Sequence, residues 1–293
     1  MSLTSLWLKF PVDRPVEFQS YSGFASRGIF FDVLKEHDED VAAHLHSGGG
    51  IAPYSTTPII ANNGGRLKIV YRKLPACVAH LRICILEYEL SKVFLDAVVS
   101  RPPKVRLVDR EVPLTGVSVG VVDFSELLKE ARPVRRFSVC FRTPCFFRAT
   151  PPSIEVPLGL RRRVRLPLGL KRFVPLPEPI LMFKNLVRLW RAFSRKPFSY
   201  DGFLRWVELG GVAISGFPGG IRTVRVYEHP DSNKWAVGFV GTVNFVVPDD
   251  FYSKRYARIA DALLRFAEYS NVGGNRTAGF GVVDYRPIEY LEE

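Results

Sequence analysis

The chain is poor in the residues that build disulfide frameworks, zinc sites and membrane spans. It has four cysteines in 293 residues, at positions 77, 84, 140 and 145, and no run of eighteen consecutive apolar residues. The cysteines form no C-x-x-C pair, and no histidine stands at zinc-ligand spacing from them. We therefore expect buried free thiols, no metal and no transmembrane helix. A Cys140–Cys145 disulfide is an alternative only for a protein from a hyperthermophile.

Targeting and nucleotide-binding signals are also missing. Residues 1–13 lack a basic start followed by an apolar core, so we expect no signal peptide and a cytoplasmic protein. No glycine-rich loop is followed by Gly-Lys-Ser/Thr and a helix, which disfavours a nucleotide-binding metabolic enzyme. We expect no cofactor.

Acidic residues are scarce in one part of the chain. Residues 131–200 contain sixteen lysines and arginines but only Glu155 and Glu178, a local charge of +14, whereas the whole chain carries +12. The remainder is therefore slightly acidic, at −2. A single basic territory is typical of proteins that bind a polyanion such as nucleic acid. A surface made only for solubility would mix both signs.

Hydrophobic periodicity predicts the same order of elements in both halves of the chain. In the first half, apolar spacing indicates a strand at 2–9, helical segments at 24–35 and 41–46, strands at 54–61, 66–74 and 77–90, a helix at 91–100 and strands at 104–124. In the second half it indicates a strand at 135–150, a helix at 177–194, strands at 211–217, 221–229 and 234–247, a helix at 249–269 capped by Asp250, and a strand at 281–291.

This pattern predicts an α+β protein of two tandem ferredoxin-like (RRM-like, βαββαβ) domains. We place the first domain at 1–131 and the second at 132–293. The second would contain a basic insertion at about 156–176, where "VPLGLRRRVR" is followed at once by the near-copy "LPLGLKRFVP". We interpret this insertion as an arm that contacts phosphates, the alternative being a solvated loop without that role.

A glycine-rich stretch, "NVGGNRTAGFG" at 271–281, lies between the last predicted helix and the last strand. Backbone N–H groups in such a turn can bind an anion. In this position the stretch resembles the carboxy-terminal glycine-rich loop of the CRISPR-associated RNA-processing endoribonucleases, the "Cas six" family of the RAMP superfamily. Three further segments resemble that family in the same order: "GIFFDVLKEHDEDVAAHLH" with "PYSTTPI", "FRTPCFFRA" with "PLPEPILMFKNLVRLW", and "GFVGTVNFVV".

The resemblance implies a metal-independent endoribonuclease that binds CRISPR repeat RNA and cuts precursor crRNA once within each repeat. The 2′-hydroxyl would attack the neighbouring phosphate and leave a 2′,3′-cyclic phosphate and a 5′-hydroxyl. The alternative is a non-catalytic crRNA-binding RAMP subunit of a CRISPR effector complex. The partners implied are pre-crRNA and crRNA, with effector-complex proteins as further candidates, no membrane, and a monomer or homodimer.

The family's usual catalytic histidine matches His46, which follows "AAHL". A histidine suits acid–base chemistry because its unperturbed pKa of about 6.5 is near working pH. His44 is the structural or helping neighbour. The family's tyrosine and lysine correspond to Phe31 and approximately Ala52. Either other groups act in their place, or turnover is slow, or the site is built differently. The candidate substitutes are Tyr21, Arg27, Lys35 and Tyr54, of which the two tyrosines are the catalytic candidates.

The candidate RNA-binding residues come from three parts of the chain. They are Arg27 and Lys35 beside the first helix; Arg161, Arg162, Arg163, Arg165, Lys171 and Arg172 in the arm; and Gly273, Gly274, Asn275, Arg276, Thr277, Gly279 and Gly281 in the glycine loop.

Overall fold

The computed structural model describes residues 2–100, 104–149, 172–228 and 235–291. In the first half the elements are β1 (Ser2–Val12), β2 (Val16–Glu17), α1 (Ser22–His37), α2 (Glu39–Ser47), β3 (Tyr54–Thr56), β4 (Ile60–Asn63), β5 (Arg66–Ile69), β6 (Lys73–Leu74), β7 (Cys77–Ile85), α3 (Tyr88–Ser100), β8 (Lys104–Leu107), β9 (Arg110–Pro113), β10 (Gly116–Asp123) and α4 (Phe124–Glu130).

In the second half they are β11 (Val134–Cys145), β12 (Phe147–Ala149), β13 (Arg172–Val174), α5 (Pro179–Phe193), α6 (Tyr200–Trp206), β14 (Ala213–Gly216), β15 (Ile221–Glu228), β16 (Trp235–Val246), α7 (Lys254–Ser270) and β17 (Val283–Tyr290). A π-helical turn, Val207–Gly211, follows α6, and 3-10 turns occupy Asp249–Phe251 and Arg276–Ala278.

The first half folds around an antiparallel sheet of order β10-β1-β7-β4-β5, with β3 also paired to β7. Counting only the four main strands, this is the 4-1-3-2 order of a ferredoxin-like βαββαβ unit. Alternate residues of β1, Leu6, Leu8 and Phe10, are buried in a core shared with α1 and α3. The alternation read from the sequence therefore sets which face of the sheet packs on the helices.

The second half repeats this plan with β11 in the centre of the sheet. β16 and β17 flank β11 on its two sides, and both β14 and β15 pair with β16. Phe137, Val139 and Phe141 of β11 are buried against α5 and α7. The chain is thus an α+β protein of two tandem ferredoxin-like units, as the sequence predicts.

Several predicted boundaries differ from the structure. The strand predicted at 77–90 ends at Ile85, and α3 begins at Tyr88. Helices α4 and α6 were not predicted, because each has seven residues, too few to show a helical period. Asp250 does not cap the last helix: it lies in a 3-10 turn, and Ser253 caps α7 by accepting a hydrogen bond from the Tyr256 amide.

The division at residue 131 stays a prediction. It falls between α4 and β11, but α4 packs into the core of the second half. The ring of Phe124 lies 5.1 Å from that of Trp190 and 5.5 Å from that of Phe266. Contacts across the predicted boundary are therefore extensive.

All four cysteines are free thiols, so no Cys140–Cys145 disulfide is formed. Burial raises the pKa of the Cys84 thiol, which fits an inert core residue. Among the described residues, no helix is long and apolar enough to cross a membrane.

Candidate functional site

The glycine loop, residues 271–281, is a compact turn rather than an extended strand. Helix α7 ends at Ser270, and the chain then takes positive φ angles at Asn271 and Asn275 (54° at both) and at Gly273 (84°). Asn275 is in the left-handed helical region, whereas Asn271 has an extended ψ of 173°. Left-handed angles are accessible to glycine and, less readily, to asparagine. The sequence of this loop therefore matches the backbone that it adopts.

The later glycines are required by packing. A Cβ at Gly281 would lie 1.8 Å from the Val272 carbonyl oxygen, and one at Gly279 would lie 2.6 Å from the backbone nitrogen of Pro58. Both glycines are buried. RNA binding by Gly279 and Gly281 stays a prediction, and it is disfavoured because their backbone packs inside the protein.

The glycine loop joins the two ferredoxin-like units. The Asn271 side chain donates to the Thr56 carbonyl at 2.8 Å, and the Thr56 hydroxyl donates to the Thr277 carbonyl at 3.1 Å. Two further first-half side chains donate to carbonyls in or beside the loop: Ser55 to Tyr269 at 2.5 Å and Tyr21 to Gly279 at 3.1 Å. These bonds fix the loop against the segment that carries β3.

Arg276 is buried within this junction, with 7% of its surface exposed. One terminal nitrogen of its guanidinium donates to the Ser270 carbonyl at 2.7 Å, and the other donates to the Ala52 carbonyl at 3.0 Å. The role of Arg276 as a phosphate ligand stays a prediction, and it is disfavoured because its guanidinium donates to main-chain oxygens inside the protein.

A groove of about 720 Å³ opens beside the glycine loop. One wall consists of residues 273–277, and a second consists of Gly50, Ile51 and Ala52, which follow α2. The remaining walls are β12 and the exposed face of α5. Gly274, Asn275 and Thr277 keep part of their surface exposed here, so this half of the glycine loop is open to a ligand.

The groove is strongly basic. Of the described residues that line it, four are cationic (Arg148, Lys184, Arg188 and Arg276) and none is acidic. Arg148, Lys184 and Arg188 are exposed. Lys184 comes within 3.9 Å of Glu208, a loose pair between two half-exposed side chains. Such a groove attracts phosphate groups.

Sequence reasoning missed Arg148, Lys184 and Arg188 as site residues. Lys184 and Arg188 are four residues apart on α5, so they lie on one face of that helix, opposite the buried stripe that includes Phe183 and Leu186. The signal was present in the sequence as a basic stripe on an amphipathic helix. What the sequence did not show was which surface that stripe faces.

His46 is exposed in the last turn of α2, four residues before Gly50 of the groove wall. Its ring packs edge-on against Phe31, with 5.4 Å between ring centroids, and Phe31 packs edge-on against Tyr54 at 6.1 Å. The structure thus brings together three residues that the sequence marked: the histidine, the phenylalanine at the expected tyrosine position, and Tyr54.

Tyr54 is buried, and its ring stacks on Phe30 with 3.8 Å between centroids. Burial raises the pKa of Tyr54 to about 12, against the opposing effects of the Arg27 charge, a hydrogen bond with the Thr277 side chain and the Arg276 charge. The hydroxyl is therefore protonated at neutral pH and can donate a proton in a hydrogen bond but not act as a base.

A catalytic role for Tyr21 stays a prediction, and the surroundings of this side chain disfavour it. Tyr21 is 1% exposed, its hydroxyl is bonded to Gly279, and its ring packs on Phe280 at 5.2 Å. Burial, the largest cause, and the neighbouring Tyr71 hold its pKa well above the usual range. Tyr21 is a packing residue of the junction between the units.

The remaining predicted residues that the structure describes are not part of the groove lining. His44 is exposed on α2, Arg27 stacks over Phe24 at 5.5 Å, and Lys35 pairs with Glu39 at 3.4 Å. Arg172 is exposed in β13, which pairs with the groove strand β12. Arg161, Arg162, Arg163, Arg165 and Lys171 lie outside the described residues.

Residues 139–283 match the model of the family described as CRISPR-associated endoribonuclease Cas6. The chain carries a Cas6-family domain. The match includes the glycine loop, α5 and the central strands of the second sheet, and it confirms the resemblance inferred from the sequence. Among curated proteins, no match was found.

Solved Cas6 structures match the whole chain. A product complex of Thermus thermophilus Cas6 has 21% sequence identity and a TM-score of 0.74, covering 98% of this chain and 99% of its own. A second Cas6 product complex has 24% identity and a TM-score of 0.68, covering 99% and 100%. A Cas6-related protein of Pyrococcus furiosus has 13% identity and a TM-score of 0.55, covering 97% and 98%. At these identities the matches show the shared fold.

Proposed function

We propose that this protein binds CRISPR repeat RNA and cleaves precursor crRNA within each repeat, without a metal, by attack of a 2′-hydroxyl on the adjacent phosphate. The observation that carries the proposal is the basic groove, which has the glycine loop of the Cas6 family on one wall and the segment after His46 on another. Similar Cas6 proteins were solved as product and substrate-mimic complexes, which supports repeat RNA as the ligand.

The groove supports two separable tasks. The exposed cations Arg148, Lys184 and Arg188 would contact phosphate oxygens, together with the open backbone at Gly274 and Asn275. His46 would move the proton, either from the 2′-hydroxyl or to the leaving 5′-oxygen. These roles need no metal ion, because the cations of the groove would stabilise the charge that develops on the phosphate.

Phe31 and Ala52, which stand where the family's tyrosine and lysine are expected, have other contacts in this arrangement. Phe31 occupies the place expected for a tyrosine and supplies an apolar edge to the His46 ring. Ala52, near the place expected for a lysine, contributes its carbonyl oxygen to Arg276. We infer that the positive charge comes from the opposite wall, from α5 and β12, instead of from the segment after His46.

The chelator experiment tests the proposal. Purified protein is incubated with its repeat RNA in excess EDTA, and the products are resolved with their end groups. We expect one cut per repeat, with a 2′,3′-cyclic phosphate on the upstream fragment and a 5′-hydroxyl on the downstream fragment. Restoration of cleavage only by added Mg²⁺, or 3′-hydroxyl products, would contradict the proposed chemistry.

A non-catalytic crRNA-binding subunit remains the second candidate, favoured by the absence of the family's tyrosine and lysine at positions 31 and 52. The same assay separates the two functions. Tight, saturable binding of repeat RNA with no cut in any buffer would support the subunit and exclude the nuclease.

A further inference from the structure

The two hydrogen bonds of the Arg276 side chain connect two different parts of the chain. Its guanidinium bridges the Ser270 carbonyl, at the end of α7, and the Ala52 carbonyl, on the opposite side of the junction. The first partner belongs to the glycine-loop unit and the second to the segment that follows His46. The planar guanidinium suits this bridge, because its donors point in fixed directions.

The Ala52 segment leads directly to the histidine. Tyr54 is two residues beyond Ala52, and its ring contacts Phe31, which in turn contacts His46. The ring of Tyr54 also stacks on the ring of Phe30. A continuous series of contacts thus runs from the Arg276 guanidinium, through the backbone of residues 52–54 and two aromatic rings, to His46.

The glycine loop also makes hydrogen bonds to Thr56, beyond Tyr54 in the chain. The Thr56 hydroxyl and carbonyl are both bonded to the loop, at Thr277 and Asn271 respectively. Residues 52–56 are therefore tied to the loop at Ala52 and again at Thr56. Burial, with the nearby Arg188, lowers the pKa of Arg276 to about 10, so the guanidinium is still charged at neutral pH and donates both of its bonds.

We propose that Arg276 is a positioning residue of the nuclease: it fixes Ala52 so that Tyr54 and Phe31 hold the His46 ring in its working orientation, and it does not bind RNA phosphate. This inference rests on the proposed function. On this inference, Arg276 affects the rate of cleavage and not the affinity for RNA. A misplacement of a reacting group by about 1 Å is enough to lower a rate by about 100-fold.

The test compares Arg276→Ala with the wild-type protein in two measurements. The dissociation constant for a repeat RNA with a 2′-deoxy cut site is measured over a range of salt concentrations, and cleavage is measured under single-turnover conditions with enzyme in excess. We expect a dissociation constant and salt slope close to wild type, with a cleavage rate lower by about 100-fold. Millimolar guanidinium is expected to restore part of the rate, and ammonium at the same ionic strength is not.

Two controls bracket this result. Arg188→Ala, in the groove, should raise the dissociation constant and flatten the salt dependence, because one RNA phosphate is no longer neutralised. Lys129→Ala removes an equal charge from the exposed end of α4, outside the groove, and should leave both measurements unchanged. A melting curve for each variant shows whether the fold is intact.

The outcomes separate the inference from the proposed function. Weaker binding of Arg276→Ala with a reduced salt slope and an unchanged cleavage rate would overturn the inference, and so would an unchanged rate with unchanged binding. If Arg276→Ala is unfolded, Arg276→Lys decides: a full rate would show that charge alone suffices and contradict the positioning role, whereas a reduced rate with intact affinity would support it. Failure of the wild-type protein to cut any repeat RNA would instead refute the proposed function.

Discussion

At the scale of single residues, His46 has an apolar neighbour where a proton-transfer group commonly has a polar one. The edge of Phe31 contacts its ring, and the ring itself is exposed in the last turn of α2. His46 is therefore open to solvent, with one edge of its ring covered by an apolar side chain.

His46→Ala tests the catalytic assignment. We expect the single-turnover rate of cleavage to fall by a factor of about 10² to 10⁴, the usual contribution of a general acid or base, while the affinity for repeat RNA is unchanged. His44→Ala is the matched comparison, because His44 is exposed on the same helix but two residues away, on a different side. Equal loss of rate in both variants, or full activity of His46→Ala, would show that the assignment is wrong.

Residue roles that depend on burial could not be predicted from the sequence. Tyr21 and Arg276 are candidates by their chemistry alone. Their burial comes from contacts with residues more than 200 positions away: Tyr21 bonds Gly279, and Arg276 bonds Ala52. Local patterns give no information about such contacts, whereas the position of His46 followed from a local motif.

At the scale of elements, α7 shows why helix ends are harder to predict than helices. Both Asp250 and Ser253 are residue types that cap helices, and both precede the apolar stripe of this helix. The buried positions Ile259, Leu263 and Phe266 follow the helical spacing that marks this helix in the sequence. The predicted cap was wrong, because Asp250 lies in a 3-10 turn, Asp249–Phe251, that precedes the helix.

Replacing each candidate cap by alanine tests this assignment. Ser253→Ala removes the acceptor for the Tyr256 amide and should lower the free energy of unfolding by about 1 kcal/mol. Asp250→Ala should change it by less than about 0.5 kcal/mol, as is usual for an exposed site. Urea denaturation followed by circular dichroism measures both values. A larger loss for Asp250→Ala would mean that the helix begins earlier in solution.

At the scale of the whole molecule, the composition predicts which part of the chain is basic but not where the basic groove forms. The basic territory at 131–200 could be read from the sequence, and it does supply the groove cations Arg148, Lys184 and Arg188. The position of the groove could not be read, because it forms where α5, β12, the glycine loop and residues 50–52 meet. Four segments that are distant in the chain become neighbours only in the folded protein.

The basic arm at about 156–176 is another part of that territory, and its role in binding is predicted from charge. β13 (Arg172–Val174), near the carboxyl end of that stretch, pairs with the groove strand β12. We expect the change of Arg161, Arg162, Arg163 and Arg165 to alanine to weaken repeat RNA binding and to reduce the slope of log affinity against log salt by roughly 0.7 to 0.9 for each phosphate that the arm no longer neutralises. The cleavage rate at saturating protein should be retained, since His46 is untouched.

The matched control changes Arg66, Lys68, Lys92 and Lys129, four exposed cations outside the groove lining, to alanine. If that control weakens binding and flattens the salt dependence as much as the arm variant does, the effect comes from net charge, and the arm has no specific part in holding the RNA.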